Sequence, residues 1–586
     1  MKKTSTIALL CSLLVLSSCS LNFSESVSSS SSLNNSSSSN STISSSSSST
    51  NSILSNSSNS ISSSSSQETG NVNITCLSSS NNRLVLNVNT SLTYSVKYKS
   101  SSSSTYIDLD NECIKDNEVI ILGLVAGNYD VQVITSDNKV SELKNIVVEK
   151  QDMSGYATFN KTSIGAYNVD GSLLSTAKVI YVDDSTKNTI KLTVGKNTYT
   201  GLGEIFKNAE KITYPLDIRI IGSINTNQFK YKEFTPYENG ENPSTDYPER
   251  FQNELETTYT NLNGLSNKIF GPSSSDYDYG VSMEFSKKTS YKDTDSAFNM
   301  MVVKKASNLT VEGLYNGTIN QWGFNFKGCN SIEVKNLTFK DYPEDACSFE
   351  GDSDAASTTS SSKDITKYSN FFLHNNTFLI GKNNWDLSQE QDKHEGDGSS
   401  DIKYLSNYTS SYNHFIKCHK TGLVGGGDTQ MTQNVTFHHN YYEEVTSRLP
   451  LGRQANMHIY NCYYKKCGTG QDIRANGYVL SESNYFENTT HPQKVTVVSK
   501  NNYYPAIKSY NDKFVSCSNS SQATIVTDRT IKVTNSCKPN GIDLSNFDTD
   551  ESLFYYDSTN KVSKVELLHS VDQVPDYVSK NSGNLY

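Results

Sequence analysis

Between residues 330 and 490 the chain repeats one short pattern, an alternating run followed by asparagine and an aromatic or apolar pair. The segments "IEVKNLTF", "FFLHNNTF", "TSSYNHF", "VTFHHNYY", "MHIYNCYY" and "LSESNYF" all carry it. Asn440, Asn461 and Asn484 stand 21 and 23 residues apart. A period near this length marks a solenoid, in which each coil buries its apolar face only against its neighbours. Helical patterns of ten or more residues are scarce here, so each coil reads as strands and turns. Stacked coils then set asparagine over asparagine, with side-chain amides bonding along the ladder and aromatics stacking inside. The expected fold is all-β, a parallel β-helix over 151–586.

The rest of the 586-residue chain differs in composition. Residues 71–150 hold short alternating strands, "NRLVLNVNT", "LTYSVKYK" and "EVIILGLVAGNYDVQVIT", which point to a small β-sandwich. "LVAGNYDVQV" resembles the late strands of fibronectin type III-like modules, and both a spacer and a carbohydrate-binding role fit. Residues 24–66 are almost wholly Ser and Asn. They cannot bury a core, and 19–70 reads as a flexible linker. The chain opens "MKKTSTIALLCSLLVLSSCS", with signal-peptide architecture over residues 1–18 and an apolar run too short to span a bilayer. Small residues before Cys19 resemble a bacterial lipobox. Cleavage there would lipidate Cys19 and leave a monomer at the cell surface, tethered to the membrane.

Export permits disulfides. Cys76 with Cys113, Cys462 with Cys467, and Cys517 with Cys537 are candidate pairs that spacing alone does not assign. No His/Cys cluster has zinc spacing. The formal net charge of −10 argues against nucleic acid, which wants a basic face. An anionic polysaccharide needs cations only locally, in its groove.

In "GDGSSDIK", Asp397 and Asp401 are four apart and share one face of an extended strand. Ile402 and Tyr404 alternate inward, leaving Asp401 and Lys403 outside. Two outward carboxylates repel unless a cation joins them, and calcium, with its loose oxygen coordination, suits them. "DYPEDACSF" offers Asp345 from an earlier coil, with Glu344 beside it. Lys420 and then "SRLPLGR", with Arg448 and Arg453 around Pro450, follow on later coils. Pro450 marks an edge, bulge or loop, and such a break lets two arginines of odd separation reach one side.

In that order, "EDACSF", "DGSSDIKYLSNYTSSYNHFIKCHKTGL", "VTFHHNYYEEVTSRLPLGR", "MHIYNCYY" and "DIRANGYVLSESNYFEN" resemble the pectate lyases of polysaccharide lyase family one. The likeness covers roughly residues 155–580. It implies a right-handed parallel β-helix that cleaves polygalacturonate with calcium. By motif, Asp345, Asp397 and Asp401 match the calcium ligands, and Lys420 matches the lysine holding a substrate carboxylate. Arg448 matches the Brønsted base and Arg453 the second substrate-binding arginine. The family's strand motif ending Asp-His reads Leu373-His374 here, and insertions flank it. These departures leave substrate length preference open, as they do any calcium contact of Glu344.

The implied chemistry is β-elimination. A base removes the C5 proton of a uronate, the C4–C5 double bond forms, and the C4–oxygen bond breaks. Arginine as base conflicts with its usual permanent protonation, so the role requires surroundings that lower its proton affinity. A pectin lyase shares the fold but acts on methylated pectin without calcium, and retention of three aspartates argues against it. Loss of Arg448 or Lys420 would have supported a non-catalytic surface glycan-binding lipoprotein, and both are present. His438 and His439 lie in the repeated strand motif, which favours packing over acid–base work.

Overall fold

The protein, represented by a computed structural model, is described over residues 72–225, 300–342, 345–351, 365–381, 396–427, 431–497, 504–528, 531 and 568–585, with the backbone of two short strands at Tyr556–Asp557 and Val562–Ser563. Cys19, the Ser/Asn-rich linker, Glu344 and Cys537 lie outside the described residues.

The expected β-helix is present. From Gly323–Lys327 to Tyr485–Glu487 each coil supplies one strand to each of three parallel sheets. In the first, Ser369–His374, Ser406–Ser411, Thr432–His438, Ala455–Tyr460 and Tyr478–Glu482 pair in succession. In the second, Thr377–Phe378, His414–Ile416, Tyr441–Glu443, Tyr463–Lys465 and Tyr485–Glu487 do the same. The third is eight-stranded and includes Cys347–Glu350, Ile402–Lys403, Leu423–Val424, Leu451–Gly452 and Thr469–Arg474.

Register turns the sequence repeat into columns. Phe339, Phe378, Phe415, Tyr442, Tyr464 and Phe486 form one interior stack, with successive ring centroids 4.8, 4.6, 5.2, 4.9 and 4.3 Å apart. Such pairs add about 0.5–1.5 kcal/mol each beyond the area they bury. The pattern's aromatic after the asparagine is what feeds this column.

The asparagine ladder is real, but at two coils the asparagine of the repeat sits one residue off the expected register. Asn376 Nδ2 donates to Asn413 Oδ1 (3.0 Å) and Asn413 Nδ2 to Asn440 Oδ1 (3.2 Å). Because Tyr441 pairs with Tyr463, the position above Asn440 is Cys462, whose N–H donates to Asn484 Oδ1 at 2.9 Å. Asn461 instead occupies the preceding turn at φ 49°, as Asn336 does at φ 55°. Asparagine tolerates the left-handed region, so it serves two neighbouring positions of the coil. The column ends on Asp512, which accepts from Asn484 Nδ2 at 3.0 Å.

Residues Asn73–Ser78, Leu84–Asn89, Glu118–Ile121 and Ile114–Lys115 form one antiparallel sheet, and Ile107–Asp108, Tyr94–Ser100, Gly127–Thr135 and Val140–Val148 another. They share a core that includes Leu84, Leu86, Val96, Val131 and Val133, the expected sandwich. Val85 and Ile120 pack it on Leu314 and Tyr315 of the β-helix. From Gln151 the chain runs as a strap over the first sheet. Tyr156 N–H donates to Thr436 Oγ1 (3.1 Å), Ala157 N–H to Thr409 Oγ1 (2.9 Å), and Ala166 N–H to Thr310 Oγ1 (2.8 Å). The C-terminal helix Val574–Asn581 sets Val574 and Val578 on Tyr441 and Tyr463 of the second sheet. Strap and helix thus cover the first and second sheets, whereas the acidic motifs lie on the third.

Two candidate disulfides are not formed. Cys76, Cys113, Cys462 and Cys467 are all free thiols. Cys113 is buried against Tyr181 of the β-helix, 3.4 Å from its hydroxyl, while Cys76 sits on a sandwich strand. Cys462 lies in the asparagine column, and Cys467 donates to the Tyr442 carbonyl at 3.4 Å. Each thiol therefore fills a separate packing site. Cys517 is free as well.

Candidate functional site

The third sheet's register lines up the polar motifs. Ala346 N–H donates to Gly398 O and Ser399 N–H to Lys420 O, at 3.2 and 2.9 Å. Lys420 bridges Ser447 in parallel, and Gly422 N–H donates to Arg448 O at 2.9 Å. Asp345, Asp397, Lys420 and Arg448 thus come from four successive coils or their edges, brought together by stacking rather than by sequence proximity.

The carboxylates converge. Asp345 and Asp401 are buried, at 7% and 4% exposure. Ser348 Oγ donates to Asp345 Oδ2, whereas Asp345 Oδ1 is buried with no hydrogen-bond partner among the described residues. Leu423 N–H donates to Asp401 Oδ1 at 2.9 Å. Between them lies Gly398. A β-carbon there would fall 2.5 Å from Asp345 Oδ1 and 3.2 Å from Asp401 Oδ1, so glycine leaves the space that the carboxylates face.

Electrostatics mark the same spot. Burial, reinforced by the charges of Asp401 and Asp397, pushes the Asp345 carboxyl up to about 7, with Lys403 opposing. A carboxylate held this unfavourably is a common feature of a functional site. Burial would lower the Lys403 ammonium, but Asp401, Asp345 and Glu350 outweigh it and hold it well above its usual range. Its Nζ lies 3.5 Å from Asp401 Oδ2 and 3.3 Å from Glu350 Oε1. Lys420, itself buried, places Nζ 3.2 Å from Asp397 Oδ1.

An orphaned carboxylate oxygen, two further carboxylates and a side-chain-free rung between them fit a hard divalent cation. Calcium takes several oxygen ligands at flexible geometry, and Asp345, Asp397 and Asp401 are the residues that would hold it.

"SRLPLGR" is a local insertion. Lys420 pairs with Ser447 and Leu423 with Leu451, so three steps on one coil face four on the next. The extra residue falls at Arg448, at φ 63°, followed by a cis Leu449–Pro450 peptide. An inserted residue changes which face the following positions occupy, the physical basis for reconciling the two arginines' odd spacing. Among the described residues the half-buried Arg448 guanidinium has neither hydrogen-bond nor ion-pair partner. Arg453 follows the strand Leu451–Gly452 and donates its N–H to Val424 O at 2.9 Å.

Sequence alternation places Ile402 correctly in the core but fails at Tyr404. That residue turns to φ 59° and stays partly exposed, and Leu405 takes the interior place. Gly398, Ser348 and Lys403 complete the site. The glycine is visible in "DGSSD", but nothing in the sequence says which carboxylate it would meet.

His438 and His439 belong to the first sheet and the turn after it. His438 stacks on Tyr460 at 4.8 Å and His439 on Tyr412 at 4.7 Å, in keeping with the packing expectation.

Residues 273–562 match the family model for pectate lyases. Pectate lyase C of Dickeya chrysanthemi is 44% identical over 94 residues, 16% of this chain and 25% of that protein. Pectate lyase 2 of Pectobacterium carotovorum is 33% identical over 186 residues, 31% of this chain and 46% of that protein. The chain therefore spans less than half the length of these relatives. The solved pectate lyase of Bacillus sp. N165 in complex with trigalacturonate is 17% identical, with a TM-score of 0.42 over 73% of this chain and 98% of that one. Pectate lyase C of Erwinia chrysanthemi at pH 9.5 with calcium is 15% identical, with a TM-score of 0.40 over 74% of this chain and 94% of that one.

Proposed function

We propose that this β-helix, matched by the pectate lyase family over residues 273–562, is a calcium-assisted lyase that cleaves polygalacturonate by β-elimination. The observation that carries the reading is the buried, unpartnered Oδ1 of Asp345 facing Asp401 across Gly398, with Lys420 ion-paired to Asp397 on the adjoining rung.

Calcium bound by Asp345, Asp397 and Asp401 supplies a Lewis acid for the uronate carboxylate. Lys420 is positioned by Asp397 beside the acidic cluster and exchanges that partner for a substrate carboxylate, fixing the sugar's pose. Arg453 holds a second carboxylate with its planar guanidinium. Arg448 takes the C5 proton as the C4–C5 double bond forms and the C4–oxygen bond breaks, and solvent water supplies the proton to the leaving oxygen. Its lack of an acidic partner among the described residues supports this role, because an ion pair would raise its proton affinity further.

Purified full-length protein incubated with polygalacturonate is expected to give a rising ultraviolet absorbance from the 4,5-unsaturated product, abolished by chelator. No rise with calcium present would favour a non-catalytic glycan binder. A chelator-insensitive rise, larger on methylated pectin, would favour a pectin lyase. In this proposal Cys19 carries the lipid anchor and residues 19–70 the reach from the bacterial surface. Cys19→Ala is expected to leave the membrane fraction, and retention there would exclude the anchor.

A further inference from the structure

A second cluster of ligating side chains lies away from the acidic site, where strap, β-helix and C-terminal segment meet. Asp152 belongs to the strap, His438 ends a first-sheet strand, His439 sits in the turn after it, and His569 precedes the C-terminal helix. The Nδ1 atoms of His438 and His439 are 2.9 Å apart. Asp152 Oδ2 lies 3.8 Å from His438 Nδ1, and single donor atoms of the three residues all fall within 4.8 Å of one another. Both histidines are buried.

The outer partners fix how these rings can be protonated. His438 Nε2 lies 3.2 Å from the Ser154 carbonyl. A carbonyl only accepts, so Nε2 carries the hydrogen, and in the neutral tautomer with that hydrogen the Nδ1 lone pair turns inward. His439 Nε2 lies 2.9 Å from His569 Nδ1. If Nε2 donates there, a second lone pair faces the first at 2.9 Å, with the Asp152 carboxylate alongside. That carboxylate is itself oriented by Ser154 N–H on Oδ1 (2.9 Å) and Tyr412 Oη on Oδ2 (3.1 Å). Convergent acceptors of this kind repel one another unless a cation joins them. An outward N–H held by a backbone carbonyl, as at His438, is also the usual support of a metal-bound histidine.

We propose that Asp152, His438 and His439 form a transition-metal site, with zinc the best-fitting ion and His569 orienting His439 from outside. Two imidazoles and a carboxylate suit zinc, whose bonds of about 2.0–2.2 Å place ligand atoms roughly 3–3.5 Å apart. The site joins residues 152, 438–439 and 569, which are remote in sequence. Bound metal therefore pins the strap and the C-terminal segment to the β-helix, and it does so independently of any lyase activity. The metal-free alternative is a proton chain from His569 Nδ1–H to His439 Nε2 and from His439 Nδ1–H to His438 Nδ1.

The test uses untagged full-length protein stripped with chelator, then given zinc chloride and desalted. One equivalent of zinc is expected to stay bound and to raise the melting temperature by at least about 2 °C. Cobalt in its place is expected to give a visible ligand-field band. His439→Gln loses retention and band, His569→Gln binds about 10–100-fold more weakly, and Asp397→Asn, at the acidic site, binds zinc as the parent does. Should the histidine variants fail to fold, Asp152→Asn at the partly exposed edge gives the same readout, with affinity falling at least about tenfold. Failure of the parent to retain zinc, or unchanged binding in Asp152→Asn and His439→Gln, overturns the site in favour of the proton chain.

Discussion

Gly398 stands so close to Asp345 that a β-carbon on it would meet the unpartnered Oδ1 at 2.5 Å. The contact is with a short, buried side chain that already accepts from Ser348 on its other oxygen, so the carboxylate has little room to retreat. Gly398→Ala is expected to displace Asp345, costing about 1–3 kcal/mol of stability and raising the calcium needed for half-maximal polygalacturonate cleavage at least about tenfold. A wild-type calcium titration in this variant would show that the cradle is not where the ion binds.

Asp345 makes the calcium-free protein sensitive to pH in an unusual direction. Its folded-state carboxyl is raised to about 7 by burial and by Asp401 and Asp397, against an ordinary value near 3.9 in the unfolded chain. Between those values the native state binds more protons than the unfolded state, so this group's contribution to stability falls as pH rises from about 4 to 7. With chelator present, Asp345→Asn is expected to melt higher than wild type at pH 8 and little differently at pH 4.5. With calcium the order at pH 8 reverses, because the amide has lost the charge the ion needs. Melting curves in four conditions decide this, and a wild-type advantage at pH 8 in chelator would refute it.

Arg448 and Lys420 separate binding from turnover. Lys420 is anchored on Asp397 at 3.2 Å, whereas Arg448 has no such anchor among the described residues. Lys420→Ala is expected to raise KM mainly, while Arg448→Ala keeps polygalacturonate affinity within about threefold and loses at least about a hundredfold in kcat. Near-normal kcat in Arg448→Ala would remove it from the base role.

The ladder should carry much of the coil's stability. Asn413 is fully buried. Its amide donates to Leu373 O and Ser410 Oγ and its oxygen accepts from the Asn376 N–H, at 2.9, 3.0 and 3.0 Å. Asn413→Ala strands these groups away from water and is expected to cost about 2–4 kcal/mol in urea unfolding. Cys462→Ala, at the equivalent rung, removes a small packed thiol and is expected to cost less. Equal losses would mean that packing, not amide bonding, holds the column.

That comparison also marks what was legible in the sequence. The period betrayed the solenoid because every coil must bury the same face, and the aromatic after each asparagine betrayed the interior stack. The exact register did not show, because Asn461 satisfies a left-handed turn while Asn440 and Asn484 satisfy the ladder, and the one-letter pattern does not separate the two uses. At the site, Asp345, Asp397, Asp401 and Lys420 were legible from motif order. Lys403 was legible as outward beside Asp401, but its role and that of Gly398 were not, since these follow from which rung lies beside which. Candidate cysteine pairs misled for a related reason: nearness along the chain says little where each coil points neighbouring residues into different layers.

Lys403 offers the sharpest test of how the acidic site is balanced. Its ammonium lies 3.5 Å from Asp401 Oδ2 and opposes the rise of the Asp345 carboxyl. Lys403→Gln therefore has two opposed effects. Without the cation, Asp345 holds its proton to still higher pH, so calcium must compete harder with protons near and below neutrality. Above that range Asp345 is ionised in either protein, and calcium no longer meets a neighbouring positive charge. The variant is expected to need several-fold more calcium than wild type at pH 6 and the same or less at pH 9, where a one-unit displacement of a pKa corresponds to about a tenfold effect on the acid side. Calcium half-saturation of lyase activity at the two pH values, paired with calorimetric titration of calcium alone, measures this crossing. Parallel curves, with Lys403→Gln uniformly weaker or uniformly stronger, would mean that Lys403 serves Glu350 rather than the calcium carboxylates.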